Sequence, residues 1–215
     1  MFDRARALTT SLASIWHPWR SSIYGLLSAL TFFVAAWANN ALTQTMWLHM
    51  LVHIPLIIVA GVLACQALSV GRLTRYGWAR AIYAAYAYLN QHGIPGLLFV
   101  SFAGGYWMVP KALDDVLISQ PMQLMKFGVL FLAGMVLLES WRRAHLVIKL
   151  FFLGNFCWMT AIVGLLYQEE PARLCNFYLQ SDQEIAGIGL VIMAAVLPSV
   201  WLLSEIRAVL RYLKQ

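Results

Sequence analysis

Long runs of apolar residues alternate with short polar links along the chain, and this pattern divides the chain into six apolar segments. A helix needs about 20 consecutive apolar residues to cross the hydrocarbon core of a bilayer, and each segment reaches or approaches that length. The pattern therefore predicts an all-α integral membrane protein, a bundle of six transmembrane helices. The third segment is the weakest, because glycine and proline interrupt it. The segments cover residues 21–38, 46–69, 93–110, 122–140, 144–167 and 184–206.

Basic residues are concentrated in every second link, and they predict the orientation of the helices because positive charge stays on the cytoplasmic side of a membrane. We predict that both termini are cytoplasmic, with a basic segment at 1–20, the bundle at 21–206 and a basic tail at 207–215. The basic residues on that side are Arg4, Arg6, Arg20, Arg72, Arg75, Arg80, Arg142, Arg143, Arg207, Arg211 and Lys214. The links without an excess of positive charge are residues 39–45, 111–121 and 168–183.

The composition agrees with a membrane protein. Hydrophobic residues make up 61% of the chain and charged residues 11%, whereas a soluble domain carries about 25% charged residues. The net charge of +6 is spread over the helix ends, so we expect membrane lipid and not nucleic acid around the chain. Cys65, Cys157 and Cys175 lie far apart, and we expect the first two to pack as small hydrophobic residues.

The start of the second segment carries the most distinctive chemistry. Met46, His49, Met50 and His53 have the spacing i, i+3, i+4 and i+7, which brings them to one face of a helix. Imidazole binds several transition metals, and thioether sulfur favours Cu(I). The predicted topology places this stripe at the outer end of the helix, and Pro55 predicts a kink just beyond it.

Two short motifs resemble those of the CtaG-type cytochrome c oxidase assembly proteins. Residues 49–53, His-Met-Leu-Val-His, are similar to the family's H-M-x-x-H motif, and residues 182–187, Asp-Gln-Glu-Ile-Ala-Gly, are similar to its D-Q-x-x-(G/A)-G motif. The resemblance, to a distant and shortened member, implies a multi-pass protein of the bacterial inner membrane that handles copper on the periplasmic side, or that assembles a copper-containing oxidase. Family members also carry a histidine near the start of a middle helix, where this chain has Lys126.

We therefore predict a copper site, with Cu(I) preferred, on Met46, His49, Met50 and His53. One helix face seldom closes a metal site, so further donors are expected from the outer ends of other helices. Asp182 can orient a ligating histidine, or it can be the N-cap of the sixth helix. The candidate additional residues are Met108, Met122, Met125 and Asp182.

Two other functions stay open. A haem-b electron carrier would need axial ligands on facing helices, either a methionine with His49 or His53, or His92 paired with His145. A metal-free scaffold would use the two stripe histidines as polar residues of the bundle. No combination of nucleophile, base and orienting residue is evident, so we do not predict an enzyme. The expected partners are a subunit of a respiratory or other copper-containing enzyme, and a second copy of the chain.

Overall fold

The apolar segments fold as helices, as their periodicity predicts. The computed structural model describes residues 2–68 and 77–213, with side chains for 19–68 and 83–206, and these residues form helices without any strand. The all-α prediction is therefore confirmed for this part of the chain. The helices are α1 (Phe2–Trp37), α2 (Asn39–Leu42), α3 (Met46–Leu48), a π-helical segment (His49–His53), α4 (Ile54–Leu68), α5 (Gly77–Leu89), α6 (Ile94–Trp107), α7 (Pro110–Ile118), α8 (Gln120–Arg143), α9 (Leu146–Glu169) and α10 (Gln180–Leu213).

Four helices among the described residues are long and apolar enough to cross a membrane, and this supports the prediction of a membrane protein. They cover Met46–Leu68, Gln120–Arg143, Leu146–Glu169 and Gln180–Ile206. Helix α6 is apolar but shorter, and the predicted first segment lies inside α1. Six spans and their orientation stay a prediction.

Several of the arginines and lysines that predict the topology lie outside the described part of the chain. Arg72, Arg75 and Lys214 belong to residues that the structure does not describe. The side chains of Arg4, Arg6, Arg80, Arg207 and Arg211 are outside the described side chains as well.

Three helices lie in links where the sequence pattern predicted none. The short α2 lies in the link 39–45, α5 follows the second apolar segment, and α7 occupies most of the link 111–121. Pro110 begins α7, a position where its missing N–H would have no intrahelical acceptor. Helix α7 matters for the site below because it carries Asp114.

Helix α4 is central to the packing. It lies between α1 and α8, while α3 and the π-helical segment reach α10, and α6 connects α8 with α9. The backbones of α4 and α8 come closest at Gly61 and Gly134, where an added Cβ at either glycine would collide with the other helix. Glycine at such crossings lets membrane helices approach closely.

A second close crossing joins α9 and α10 at Gly164 and Gly187. Helix α6 has two adjacent glycines, Gly104 and Gly105, that face the α9 side chains of Phe156 and Met159.

The π-helical segment His49–His53 interrupts the second apolar segment just before Pro55. Its wider turn is closed by a hydrogen bond from the Ile54 N–H to the His49 carbonyl, five residues apart. Pro55 has no N–H, so the Leu51 carbonyl loses its usual partner four residues on. The irregularity predicted from Pro55 thus takes the form of a π turn that contains both histidines, and such turns are frequent at functional sites.

Candidate functional site

The π-helical segment and the start of α8 bring two histidines and a lysine together. His49, His53 and Lys126 are each fully buried, and we call them the His–Lys cluster. Lys126 Nζ lies 3.1 Å from His49 Nε2 and 3.2 Å from His53 Nδ1. The two imidazole rings are 5.6 Å apart, centre to centre. One nitrogen atom of each ring therefore points at the same place, and the lysine amine occupies it.

The far side of each imidazole has a partner that fixes its hydrogen positions. His53 Nε2 lies 3.0 Å from the Ala35 carbonyl, which only accepts, so this nitrogen carries the hydrogen and Nδ1 accepts from Lys126. His49 Nδ1 lies 2.8 Å from the Tyr178 hydroxyl, which in turn donates to the Thr43 carbonyl at 3.2 Å. His49 Nδ1 therefore donates to Tyr178, and Nε2 accepts from Lys126. Both imidazoles are neutral in this arrangement, in opposite tautomers.

Lys126 has two further neighbours. Asn39 Oδ1 lies 3.5 Å from Nζ, and the Phe127 ring centre lies 5.3 Å away. The ion pairs of the described side chains join Lys111 with Asp115 and Arg143 with Glu139, and none includes Lys126. The amine is thus surrounded by neutral acceptors and an aromatic ring. A lysine buried at membrane depth is costly, and such residues mark functional sites.

The methionines of the predicted stripe are buried among apolar side chains. Met46 and Met50 pack into a buried cluster with Met108, Tyr167 and Tyr178, which we call the methionine core. The Tyr178 hydroxyl contacts His49, so the methionine core adjoins the His–Lys cluster. The other members of the methionine core are Leu113, Cys175, Ala186 and Leu190.

The candidate donors on the third and fourth segments differ in burial. Met108 is buried, with its sulfur 4.0 Å from Thr160 Oγ1. Met122 is partly buried against the apolar cluster that contains Trp107 and Leu130, and Met125 is 40% exposed. The described side chains contain no group of three or more His, Cys, Asp or Glu that could hold a metal ion.

Asp182 does not cap α10. The helix begins at Gln180, so Asp182 lies inside the first turn and the N-cap prediction was wrong. The neighbouring Gln183 is the buried polar residue of this motif. Its Oε1 accepts from the Leu174 N–H at 2.8 Å and its Nε2 donates to the Tyr167 carbonyl at 3.1 Å. The Asp-Gln motif thus contributes a glutamine that ties the link before α10 to the end of α9.

Asp114 on α7 is buried. Its carboxylate accepts from the Asn176 N–H at 2.8 Å, from Asn176 Nδ2 at 3.0 Å and from the Phe177 N–H at 3.4 Å. Asp115 forms an ion pair at 2.6 Å with Lys111, an exposed residue of the same helix. Asp114 therefore fixes residues 170–179, the cover loop, over the His–Lys cluster.

Two buried side chains of the cover loop show how closely it packs. Burial raises the pKa of the Cys175 thiol to about 12, and Asp114 adds to the rise. Burial also raises the pKa of the Tyr178 hydroxyl, so this group is a neutral hydrogen-bonding partner of His49. A loop held in this way excludes water from the cluster.

Sequence reasoning missed Asn39 and Tyr178 as neighbours of the cluster, and it treated Lys126 only as a missing histidine. A lysine inside an apolar segment was a usable signal, because charged residues in transmembrane helices face an interior partner. Tyr178 gave no signal, since it lies in a link without periodicity.

The haem alternative gains nothing from the second pair of histidines. His92 and His145 are exposed, near the end of α8 opposite to Lys126. An apolar groove of about 550 Å³ lies between α1, α4 and α8, and no histidine lines it.

Comparison of the chain with protein-family models, with curated proteins and with solved structures finds no match.

Proposed function

We propose that the chain is a copper-binding protein of the bacterial inner membrane, which holds or delivers copper on the periplasmic side for the assembly of a copper-containing oxidase. The observation that carries this proposal is the convergence of His49 Nε2 and His53 Nδ1 on one buried point. Imidazole nitrogen is an established ligand of copper. The resemblance of the two sequence motifs to CtaG-type proteins supports the same conclusion.

The donors at this point are nitrogen atoms. Lys126 lies between the imidazoles, so copper has to displace its amine or use it as a third nitrogen donor. Met46 and Met50 belong to the adjoining methionine core. Thioether sulfur favours Cu(I), so Cu(I) stays the preferred form of copper in this proposal.

The orientation is part of the proposal: six transmembrane helices with both termini in the cytoplasm. Lys126 lies near the start of α8, whereas Arg142 and Arg143 lie at its end. The rule that positive charge stays in the cytoplasm assigns the arginine end to the inside. The His–Lys cluster and its cover loop then face the periplasm.

Copper retention by matched histidine variants tests the proposal. The purified chain is loaded with copper, dialysed against a copper chelator and analysed for metal content, as wild type, as His49→Leu/His53→Leu and as His92→Leu/His145→Leu. We expect the wild type and the variant of the exposed pair to retain copper equally, and the cluster variant to lose it. Equal copper in all three proteins would contradict the proposal, and a Soret band would favour haem instead.

Lys126→Leu sharpens this test because it removes the amine from between the imidazoles without adding a metal ligand. We expect this variant to retain copper at a higher chelator concentration than the wild type if the amine must be displaced. A lower retention would identify the amine as a third donor. Unchanged retention would mean that copper does not bind where the two imidazoles meet.

One observation favours a second candidate, a scaffold that holds an oxidase subunit without metal. In the described structure each ring nitrogen of His49 and His53 has a partner within the protein. A fully satisfied polar network can fix a single packing arrangement without any ligand. Absence of copper from the wild type, together with loss of the folded state in His49→Leu/His53→Leu, would favour this scaffold.

A further inference from the structure

Helix α9 carries a carboxamide on its outer surface, deep within the apolar part of the helix. Asn155 is exposed, and at 1.5 Å per residue it lies about 14 Å from the start of the helix at Leu146. A polar side chain that faces lipid at such a depth is costly and usually finds a protein partner.

The partner that Asn155 has within its own chain is weak. Its Nδ2 lies 3.7 Å from the sulfur of Met159, and thioether sulfur is a weak acceptor. Exposed hydroxyl groups on other helices are better served: Thr31 Oγ1 donates to the Leu27 carbonyl at 2.7 Å and Ser199 Oγ to the Ala195 carbonyl at 2.7 Å. Among the described side chains, no hydrogen bond engages the Asn155 carbonyl oxygen.

The surface around Asn155 is apolar and open. Phe151 is 66% exposed and Trp158 is 69% exposed, one turn to either side of Asn155. Gly154 is exposed beside it, and a Cβ added there would meet no atom within 4 Å. We call these four residues the Asn155 face.

We propose that the Asn155 face is the contact between two copies of this chain in the membrane. A carboxamide is both a donor and an acceptor, so two Asn155 side chains related by a two-fold axis satisfy each other without any other polar residue. Gly154 lets the two α9 helices approach closely at this point. Hydrocarbon chains of lipid cover the apolar residues equally well but leave the carboxamide without a partner.

The geometry of the chain suits a second copy that has the same orientation. A two-fold axis along the membrane normal brings equivalent depths of the two helices together, so Asn155 meets Asn155. The face carries no charged residue between Phe151 and Trp158, and repulsion between the copies is absent there. This inference does not depend on copper, since the His–Lys cluster is formed by other helices.

Dilution in lipid vesicles tests the contact. Full-length chains labelled with donor or acceptor dyes on a terminal tag are mixed at decreasing protein-to-lipid ratios, and energy transfer reports association. We expect the wild type to associate and Asn155→Leu to need a concentration about 5- to 30-fold higher, the range for an interhelical hydrogen bond of this kind. Asn155→Gln should keep most of the association, because it keeps the carboxamide.

Two controls separate this face from the rest of the surface. Ser199→Leu changes an exposed polar residue on α10 and should leave association unchanged. Trp158→Ala should weaken association, because it removes an exposed aromatic ring of the Asn155 face, whereas Ile188→Ala on α10, also exposed, should leave association unchanged. A monomeric wild type in pure vesicles, equal association of Asn155→Leu and wild type, or equal loss of association in Trp158→Ala and Ile188→Ala would each overturn the proposal.

Discussion

Each end of α8 carries a buried or half-buried cation, and the two cations have different hydrogen-bonding partners. Arg143 at one end pairs with Glu139 at 2.5 Å and donates a hydrogen bond to the Tyr83 hydroxyl at 3.1 Å. The side chains of Arg143 and Glu139 are both partly exposed. Lys126 at the other end is fully buried, and the acceptors around it are the neutral side chains of His49, His53 and Asn39.

The charge of Arg143 thus has a structural explanation, whereas the burial of Lys126 needs another one. A cation at the rim with a carboxylate partner adds little to stability and helps to set the topology. A lysine buried without a carboxylate costs free energy that a methionine or leucine would not. Lys126 lies at the point where the nitrogen atoms of two imidazoles also converge. Because of this coincidence we propose that the His–Lys cluster is the functional site.

His49→Leu is expected to have the largest effect on stability. The change removes a hydrogen bond to Lys126 and one to Tyr178, and both remaining groups stay buried. We expect the free energy of unfolding in mixed micelles to fall by about 2–5 kcal/mol. His145→Leu, at an exposed histidine, is the matched control and should change it by less than about 0.5 kcal/mol. Equal effects of the two changes would mean that the cluster is not a stabilising network.

Lys126→Met is expected to lower the free energy of unfolding by a smaller amount, about 1–3 kcal/mol. It removes the amine and leaves two imidazole nitrogens without a hydrogen-bond donor. The double variant His49→Leu/Lys126→Met should be more stable than the sum of the single changes predicts, by about 0.5–3 kcal/mol, since the two residues contact each other. Simple additivity in the same unfolding measurement would show that the contact between Nζ and Nε2 contributes nothing.

Asp114→Asn should have a smaller effect that is local to the cover loop. The variant keeps an oxygen for one N–H of the loop, but it loses the charge and the second acceptor oxygen. We expect a loss of about 1–2 kcal/mol and faster hydrogen exchange at Asn176 and Phe177. Asp115→Asn is the matched control, because Asp115 pairs only with the exposed Lys111. Unchanged exchange in the loop would contradict the role of Asp114.

The sequence predicted the helices better than it predicted the site. Apolar periodicity located the segment 144–167 within a few residues of α9, because burial in lipid or protein requires the same apolar pattern. It missed α7, whose nine residues include one lysine and two adjacent aspartates and are too few to cross a bilayer.

For the site, helical spacing correctly indicated that His49 and His53 point to one place. It did not predict the π turn that contains both histidines, because spacing rules describe a regular helix. The role of Met46 and Met50 as copper ligands stays a prediction. The contact of Tyr178 with His49 joins residues 129 positions apart, and a single sequence holds no signal for such a pairing.

Arg143→Met is expected to have the smallest effect, and it tests the other half of the comparison. The side chain loses its ion pair with Glu139 and its hydrogen bonds to Tyr83 and the Ala87 carbonyl, but the freed groups lie at the rim, where water replaces them. We expect a loss below about 1 kcal/mol in the unfolding measurement used for His49→Leu. We also expect the same variant to weaken the proposed preference of this helix end for the cytoplasmic side. The accessibility of a cysteine in place of His145 would measure this change. A loss as large as that of His49→Leu would mean that burial, and not the absence of a carboxylate, distinguishes the two ends of α8.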